Sequence, residues 1–412
     1  MTPTHAIPAD LLTPLGAYLR LREAKGGSFI LESVERGRLG QNSFVGSGTR
    51  LIGFDEARAL DAPVVGYLSY DYAAKLEPTV PLPADGPVPS DESRFVAADT
   101  LIRFDHRAGV VEVLAGDADE ITRRLEQSLE LDIGSRTEAP GQLERWPPRE
   151  RYEEIVRRCQ EYIRAGDAYQ IVPSQRAWRR TFAPPVAVYR ALRRVNPSPY
   201  LFLLELDELA LVGSSPERLV ACADGSASVC PIAGTTSPGA GDAERLLSSE
   251  KDRAEHVMLV DLGRNDLSRV CRAGTVRVTR SLDVERFSHV SHLVSEVVGE
   301  LRDGVTPFDL LRVCFPAGTV TGAPKIRAMQ IISELEGYRR GVYAGAVGYS
   351  LPDGSLDTCI AIRTLVLRDG IAHLQAGGGI VAESDPAAEH EECLNKLRAL
   401  ETAIELAESE HT

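Results

Sequence analysis

Residues 342–376 read VYAGAVGYSLPDGSLDTCIAIRTLVLRDGIAHLQA. Three β-prone runs, VYAGAVGYS, DTCIAIRTLVLR and IAHLQA, follow one another with only short Gly- and Pro-marked breaks between them. YLFLLEL and LALVGS, residues 200–206 and 209–214, repeat the grouping. Strands in groups, rather than alternating one-for-one with helices, predict an α+β fold over a doubly wound parallel sheet. The expected architecture is large antiparallel β-sheets packed face to face with helices on the outside.

Outward from that stretch, residues 1–133 are strand-rich: SFILESV, NSFVGSG, VVGYLSY, ADTLIRF and VVEVLA, then a helix over Asp119–Leu131. A polar loop covers Pro78–Ser93, and GSRTEAPGQLERWPPRE at 134–150 reads as a linker. The division is a strand-rich region 1–133, the linker, and a second segment 151–407. In the latter Ile155, Cys159, Tyr162 and Ile163 recur at helical spacing, with Gly166 as a stop. AYQIVPSQRAW reads as a strand. Further helices are expected over Asp242–Asn265, from Pro324, and from Pro386 to Glu408.

Composition excludes several classes. A net charge of −14 argues against nucleic acid or an anionic membrane as partner. No basic stretch leads an apolar run at the N-terminus, and no run of about 18 apolar residues exists to span a bilayer. Seven scattered cysteines with no CxxC pair fit reduced thiols and a cytoplasmic location.

Two acidic pairs stand out. Asp252 and Glu255 in KDRAEHVMLVDLGRND are three apart in a helical pattern, and Glu389 and Glu392 repeat that spacing after Pro386. They are either solvated helix faces or two halves of an all-oxygen site suited to Mg²⁺. His289 and His292 lack any zinc context. Glu217, after the turn Ser214-Ser215-Pro216, is either a solvated turn residue or a desolvated general acid. GGGIVA at 377–382 formally fits a dinucleotide fingerprint, but its helix opens too late to hold a pyrophosphate. Gly377, Gly378 and Gly379 instead suit close approach to a small ligand. PAGTVTGAPK ends in Lys325 without the GK[ST] of a phosphate loop. Tyr349 and Arg363 are polar groups in apolar β runs, and an arginine there can grip a carboxylate.

PIAGT (231–235), AEHVMLVDLGRNDLSRV (254–270), HLVSEVVGEL (292–301), FPAGTVTGAPKIRAM (315–329) and QAGGGIVAESD with EHEECLNK (375–396) resemble, in order, the motifs of chorismate-utilising enzymes. LLTPLGAYLRLR and SFILESVERGRLGQNSFVG resemble the amino-terminal region of anthranilate synthase large subunits. Isochorismate and salicylate synthases of that family place a lysine base where this chain has Gln170, and an amide cannot deprotonate water. Aminodeoxychorismate synthases typically carry a lysine nucleophile where Ala233 stands.

The resemblance therefore implies the anthranilate branch, a lyase reaction in which chorismate and ammonia give anthranilate and pyruvate at the first committed step of tryptophan biosynthesis. The same-family alternative is aminodeoxychorismate synthase; the alternative from another class is an inactive chorismate- or tryptophan-binding regulatory subunit. Also implied are Glu255 and Glu392 as Mg²⁺ ligands, with Asp252 (usually glutamate) and Glu389 supporting. Gly234, Thr235 and the three glycines would line the ring carboxylate, Tyr349 and Arg363 the enolpyruvyl carboxylate, with Lys396 adding charge. Glu217, His292 and Thr319 would be catalytic. Ser33, Pro199, Tyr200 and Leu201 would form a tryptophan feedback pocket. Thr236-Ser237 and Gln41-Asn42 depart from the usual Arg-Pro and Arg-Tyr, and Leu201 from methionine. A separate glutamine amidotransferase would deliver ammonia, in an assembly of two large and two small subunits.

Overall fold

The computed structural model describes residues 6–33, 41–86, 93–129, 141–236, 239, 241–286 and 291–409, with only the backbone of Thr235 and Lys251. Residues 134–140 of the expected linker, 87–92 of the expected loop, Ser237 and His289 lie outside them.

The architecture is the expected α+β one. Among the described residues, eleven strands form one antiparallel sheet, in the order 6–8, 110–115, 100–105, 42–48, 27–32, 200–206, 209–215, 364–368, 371–377, 174–180 and 144–146. A second sheet runs 232–236, 291–300, 226–229, 218–223, 356–360, 346–350, 64–68, 93–97 and 50–52, with 277–286 also paired to 291–300. Both sheets interleave strands from before and after the expected linker. Leu201 pairs with Glu32 in the first and Gly348 with Gly66 in the second. The change at residues 134–150 is thus one of local composition, across which the hydrogen-bonded ladders run on.

Alternation along the central strands builds three layers. Leu201 and Leu203 point to helices on the outer face of the first sheet, while Phe202 and Leu204 point to the second sheet. Phe29, Phe44, Val65, Val96 and Val347 meet them between the sheets. Each such side chain contributes roughly 1.5–3 kcal/mol on full burial, which is why YLFLLEL is apolar on both faces. The helices Arg149–Arg164, Pro185–Val195 and Pro386–Ser409 cover the first sheet; Phe54–Ala59, Glu250–Ser268 and Pro307–Cys314 cover the second.

Three expectations are corrected. The helix expected over Asp242–Asn265 is two helices, Asp242–Ser248 and Glu250–Ser268. Ser249 splits them, because its Oγ accepts the Asp252 N–H at 3.2 Å as an N-cap, which a helix interior would not allow. AYQIVPSQRAW is two strands, Gln170–Ile171 and Ser174–Arg180, parted at Pro173, where the ladder loses a donor. Arg363 is not inside a strand. It sits in the break between Leu356–Ile360 and Thr364–Arg368 with φ of 51°.

Candidate active site

The helix Glu250–Ser268 starts at its serine cap, so Asp252 and Glu255 occupy its first turns, where acidic side chains favour the helix dipole. Asp252 lies against Gly234. A Cβ on that glycine, whose φ is +68°, would come within 3.2 Å of the Asp252 Cβ. Glu255 Oε1 accepts from Gln170 Nε2 at 2.9 Å. From the far end of the sequence, Pro386–Ser409 begins beside Asp385, whose Oδ1 accepts Ala388 N–H at 2.8 Å.

The helix Pro386–Ser409 reaches the Gly377–Gly379 turn directly, and the helix Glu250–Ser268 reaches it through Gln170. Glu389 Oε2 lies 2.9 Å, and Glu392 Oε1 4.0 Å, from where a Cβ on Gly378 would stand. A Cβ on Gly379 would meet the Gln170 amide at 2.6 Å, and Ile380 closes two hydrogen bonds with Ile171, at 2.8 and 3.2 Å. Lys396 Nζ donates to Gly377 O at 2.8 Å and pairs with Glu392 at 2.7 Å. Only glycine leaves room for these contacts. The two acidic stretches, 137 residues apart between Glu255 and Glu392 (392 − 255), thus meet at one floor.

Across the floor stand the groups suited to proton transfer. Glu217 follows the strand Leu209–Ser215, and burial pushes its carboxyl up to about 7, against the opposing pull of Thr319 and Lys396. Thr319, in the 3₁₀ turn Gly318–Val320, turns its hydroxyl toward Glu217. Oγ1 is buried, yet it has no hydrogen bond of ordinary geometry. Glu217 and Thr319 share a cleft of about 60 Å³ with Cys230, Asp266 and Lys325, the last two paired at 2.6 Å. His292 sits in the strand Ser291–Glu300 with Nδ1 2.7 Å from Gly234 O. A carbonyl only accepts, so Nδ1 carries the hydrogen and Nε2 is the acceptor nitrogen. Burial and the nearby Arg363 cation hold the ring's pKa below the usual value, which keeps it neutral at pH 7.

Arg363 is mostly buried, which lowers its pKa. The nearby Tyr343 phenol and Glu392 carboxylate oppose that shift. Its left-handed backbone is one that a non-glycine residue adopts at a cost of order 1 kcal/mol, and it interrupts the ladder where the guanidinium is needed.

The structure brings together Glu217, Asp252, Glu255, His292, Thr319, Arg363, the three glycines, Glu389, Glu392, Lys396 and the backbone of Gly234-Thr235. It does not bring Tyr349. That ring packs 4.5 Å from Phe44 between the sheets, beside Asp357 and Arg218. Tyr349 is in register in the strand Ala346–Ser350, so its side chain takes the same face as Val347, toward the other sheet. Tyr343, in the turn before that strand, stands on the site side. Its hydroxyl is 3.0 Å from where a Cβ on Gly377 would sit. Reading the sequence missed it, although it lies only six residues from Tyr349 in the same VYAGAVGYS run.

The expected effector residues lie to one side of the site, at the same strand-end edge of the first sheet: Tyr200 pairs with Ser215 and Leu201 with Ser214, whose N–H donates to Arg363 O at 3.1 Å. Ser33 lies just past the Leu201–Glu32 pair, next to Tyr200, and its Oγ is buried without a partner. Tyr200 donates to Asp357 Oδ1 at 2.9 Å and accepts from Arg218 Nε at 2.7 Å. Leu201 faces the opposite way, into the helix-side core.

A family profile described as chorismate binding enzyme matches residues 33–402. Anthranilate synthase component 1 of Thermus thermophilus is 44% identical, with 97% of this chain and 97% of that protein covered. Its counterpart in Pseudomonas putida is 41% identical over 97% of this chain and 94% of its own length. Among solved structures, anthranilate synthase component I from Streptococcus pneumoniae superposes with a TM-score of 0.81 at 31% identity, covering 96% of this chain and 98% of that one.

Proposed function

The chain belongs to the family of chorismate binding enzymes, and we propose that it is the large subunit of an anthranilate synthase, releasing anthranilate and pyruvate from chorismate and ammonia. The observation that carries the proposal is the meeting of two acidic helices at a glycine floor beside a protonatable Glu217. The high identity to proteins named anthranilate synthase component 1, over nearly full length on both sides, supports the same branch.

The donor set at the floor is all carboxylate oxygen, which suits Mg²⁺. Among the described residues no three His, Cys, Asp or Glu side chains close into a complete metal cluster. Glu255 and Glu392 would hold Mg²⁺, with Asp252 and Glu389 acting through water. Bound there, the cation supplies positive charge for the ring carboxylate of chorismate.

The chain's own groups account for the rest. Arg363 and the Tyr343 hydroxyl grip the enolpyruvyl carboxylate, with Lys396 adding charge from the floor. Glu217, protonated below about pH 7, donates to the ring hydroxyl, which leaves as water as ammonia bonds to the ring. His292 Nε2 then takes the ring proton while the ether C–O bond breaks, so the ring aromatises and enolpyruvate takes up a proton to become pyruvate. Ala233 offers no amine and Gln170, held by Glu255, offers no base. Ammonia is therefore the nucleophile.

Ammonia needs a source. Burial pushes all seven thiols of the chain up, which is the reverse of an activated glutaminase cysteine. A separate glutamine amidotransferase subunit supplies it, in the two-plus-two assembly that the resemblance implies. The buried free thiols suit the cytoplasm, and among the described residues no helix is long and apolar enough to cross a membrane. Tryptophan is the feedback inhibitor, seated at Ser33, Pro199 and Tyr200 with Tyr349 as a wall. Leu201 backs that pocket from the core.

Incubation of the protein with chorismate, Mg²⁺ and ammonium tests this reading. Fluorescent anthranilate with equimolar pyruvate is the expected result. A non-aromatic aminodeoxychorismate product would move the chain to the alternative branch.

A further inference from the structure

Behind the site lies an ion pair that none of the chemistry above uses. Glu336, at the end of the helix Lys325–Glu336, and Arg340 each expose 1% of their side chains and meet at 2.7 Å. A buried pair of this kind gains little stability over apolar residues of the same volume, because both charges lose their water. Its retention calls for another account, and its remaining bonds provide one.

Arg340 NH1 donates to Val320 O at 2.8 Å and NH2 to Val172 O at 2.6 Å. Val320 follows Thr319, and Val172 is two residues from Gln170. The two segments are themselves joined by Val172 N–H to Thr321 O at 3.0 Å. Glu336 Oε1 accepts both the N–H and the hydroxyl of Ser174, each at 2.7 Å, and Ser174 is the ladder partner of Gly377 at the glycine floor. The guanidinium also lies 5.5 Å from the ring centroid of Tyr343 and 4.7 Å from that of Tyr70. Asp71 fixes the loop from below, accepting the N–H groups of Arg340 and Gly341, both at 3.2 Å.

We infer that the Arg340–Glu336 pair is a positioning device for the reaction, holding Thr319, Gln170, Tyr343 and the glycine floor in register from behind without touching substrate. The inference takes the site of the proposed function as its premise. A planar guanidinium suits the task because it donates in fixed directions to two carbonyls and a carboxylate at once, which an ammonium cannot do. Arg363 and Lys396 stand on segments that the pair does not touch. Loss of the pair is therefore expected to affect the chemical step more than the hold on substrate.

The test is the double variant Arg340→Met with Glu336→Gln, which removes the charges together and leaves Ser174 an acceptor. Normalised to folded protein by circular dichroism, kcat for anthranilate formation is expected to fall by about 100-fold, the scale of a misplacement near 1 Å. KM for chorismate should rise by at most about tenfold, the scale of a disturbed Tyr343 contact. Arg340→Lys, which keeps the charge and one carbonyl contact, should recover part of the loss, and it carries the test if the double variant does not fold. Amide hydrogen exchange, which needs no assumption about the reaction, should accelerate in 169–172 and 318–321 but not in the strand 42–48. Wild-type kcat per folded molecule with unchanged exchange in those segments would overturn the inference. A wild-type protein that makes no anthranilate would count against the proposed function instead, and the exchange result would still decide the role of the pair.

Discussion

Two neighbouring regions of the sandwich, the glycine floor and the surroundings of Tyr200, are built differently. At the glycine floor the functional groups sit on irregular backbone or near helix starts: Arg363 in the left-handed region, Thr319 in a 3₁₀ turn, Asp252 and Glu255 just inside a helix. Acid is in excess there. Glu389 and Glu392 stand at the turn, Glu255 reaches it through Gln170, and Lys396 pairs with Glu392. In the second region, Tyr200 and Tyr349 stand on regular strands, and the phenol of Tyr200 already spans Asp357 and Arg218. In the proposed function a cation and an anionic substrate would complete the first arrangement. In the second the Tyr200 phenol is already paired, while Ser33 Oγ is buried without a hydrogen bond.

That contrast can be broken in order of expected size. Glu217→Gln removes the proton donor and should lower kcat by roughly 10²–10⁴-fold with little change in chorismate affinity, measured by anthranilate fluorescence. In the wild type, kcat should decline as pH rises through about 7, where Glu217 loses the proton it must donate; the groups facing it are Lys396, Thr319 and the paired Asp266 and Lys325. A flat profile from pH 6 to 9 would contradict that role. Glu255→Gln should cost on the order of 10²–10³-fold in kcat/KM, the size of losing an electrostatic stabiliser. Retained turnover would remove the floor from the mechanism.

Tyr343→Phe and Tyr349→Phe sharpen the comparison most neatly, since one hydroxyl is lost from each region. The former should raise KM about tenfold, as expected for one hydrogen bond to a charged group, and leave tryptophan inhibition alone. The latter should leave KM unchanged and weaken inhibition. The reverse pattern would exchange the two assignments. Smallest of all, Ser33→Ala should shift the tryptophan concentration for half inhibition by a few-fold without altering kcat.

Much of this was legible in the residues. The β-rich runs YLFLLEL and LALVGS and the grouping of runs in 342–376 predicted large antiparallel sheets, and the i, i+3 acidic pairs predicted shared helix faces. Ordered motifs then named the partners in the site. What was not legible depends on contacts distant in sequence or on single-residue phase. Nothing in SFILESV says that it pairs with YLFLLEL, about 170 residues on. Tyr343 and Tyr349 share one run, and only the start of the strand at Ala346 decides which faces the floor. The left-handed turn at Arg363 interrupts a stretch whose composition is all β. Gln170 reads as an absent base, whereas its contact with Glu255 gives it a structural part as well.

The most direct test of the account is Mn²⁺ binding in the presence of chorismate, followed by electron paramagnetic resonance in the wild type, Glu255→Gln and Glu392→Gln. One ion per chain is expected in the wild type, with binding lost in each variant, because carboxylates from both helices must supply the ligands. An ion retained at full stoichiometry after either substitution would contradict the shared floor on which the mechanism rests.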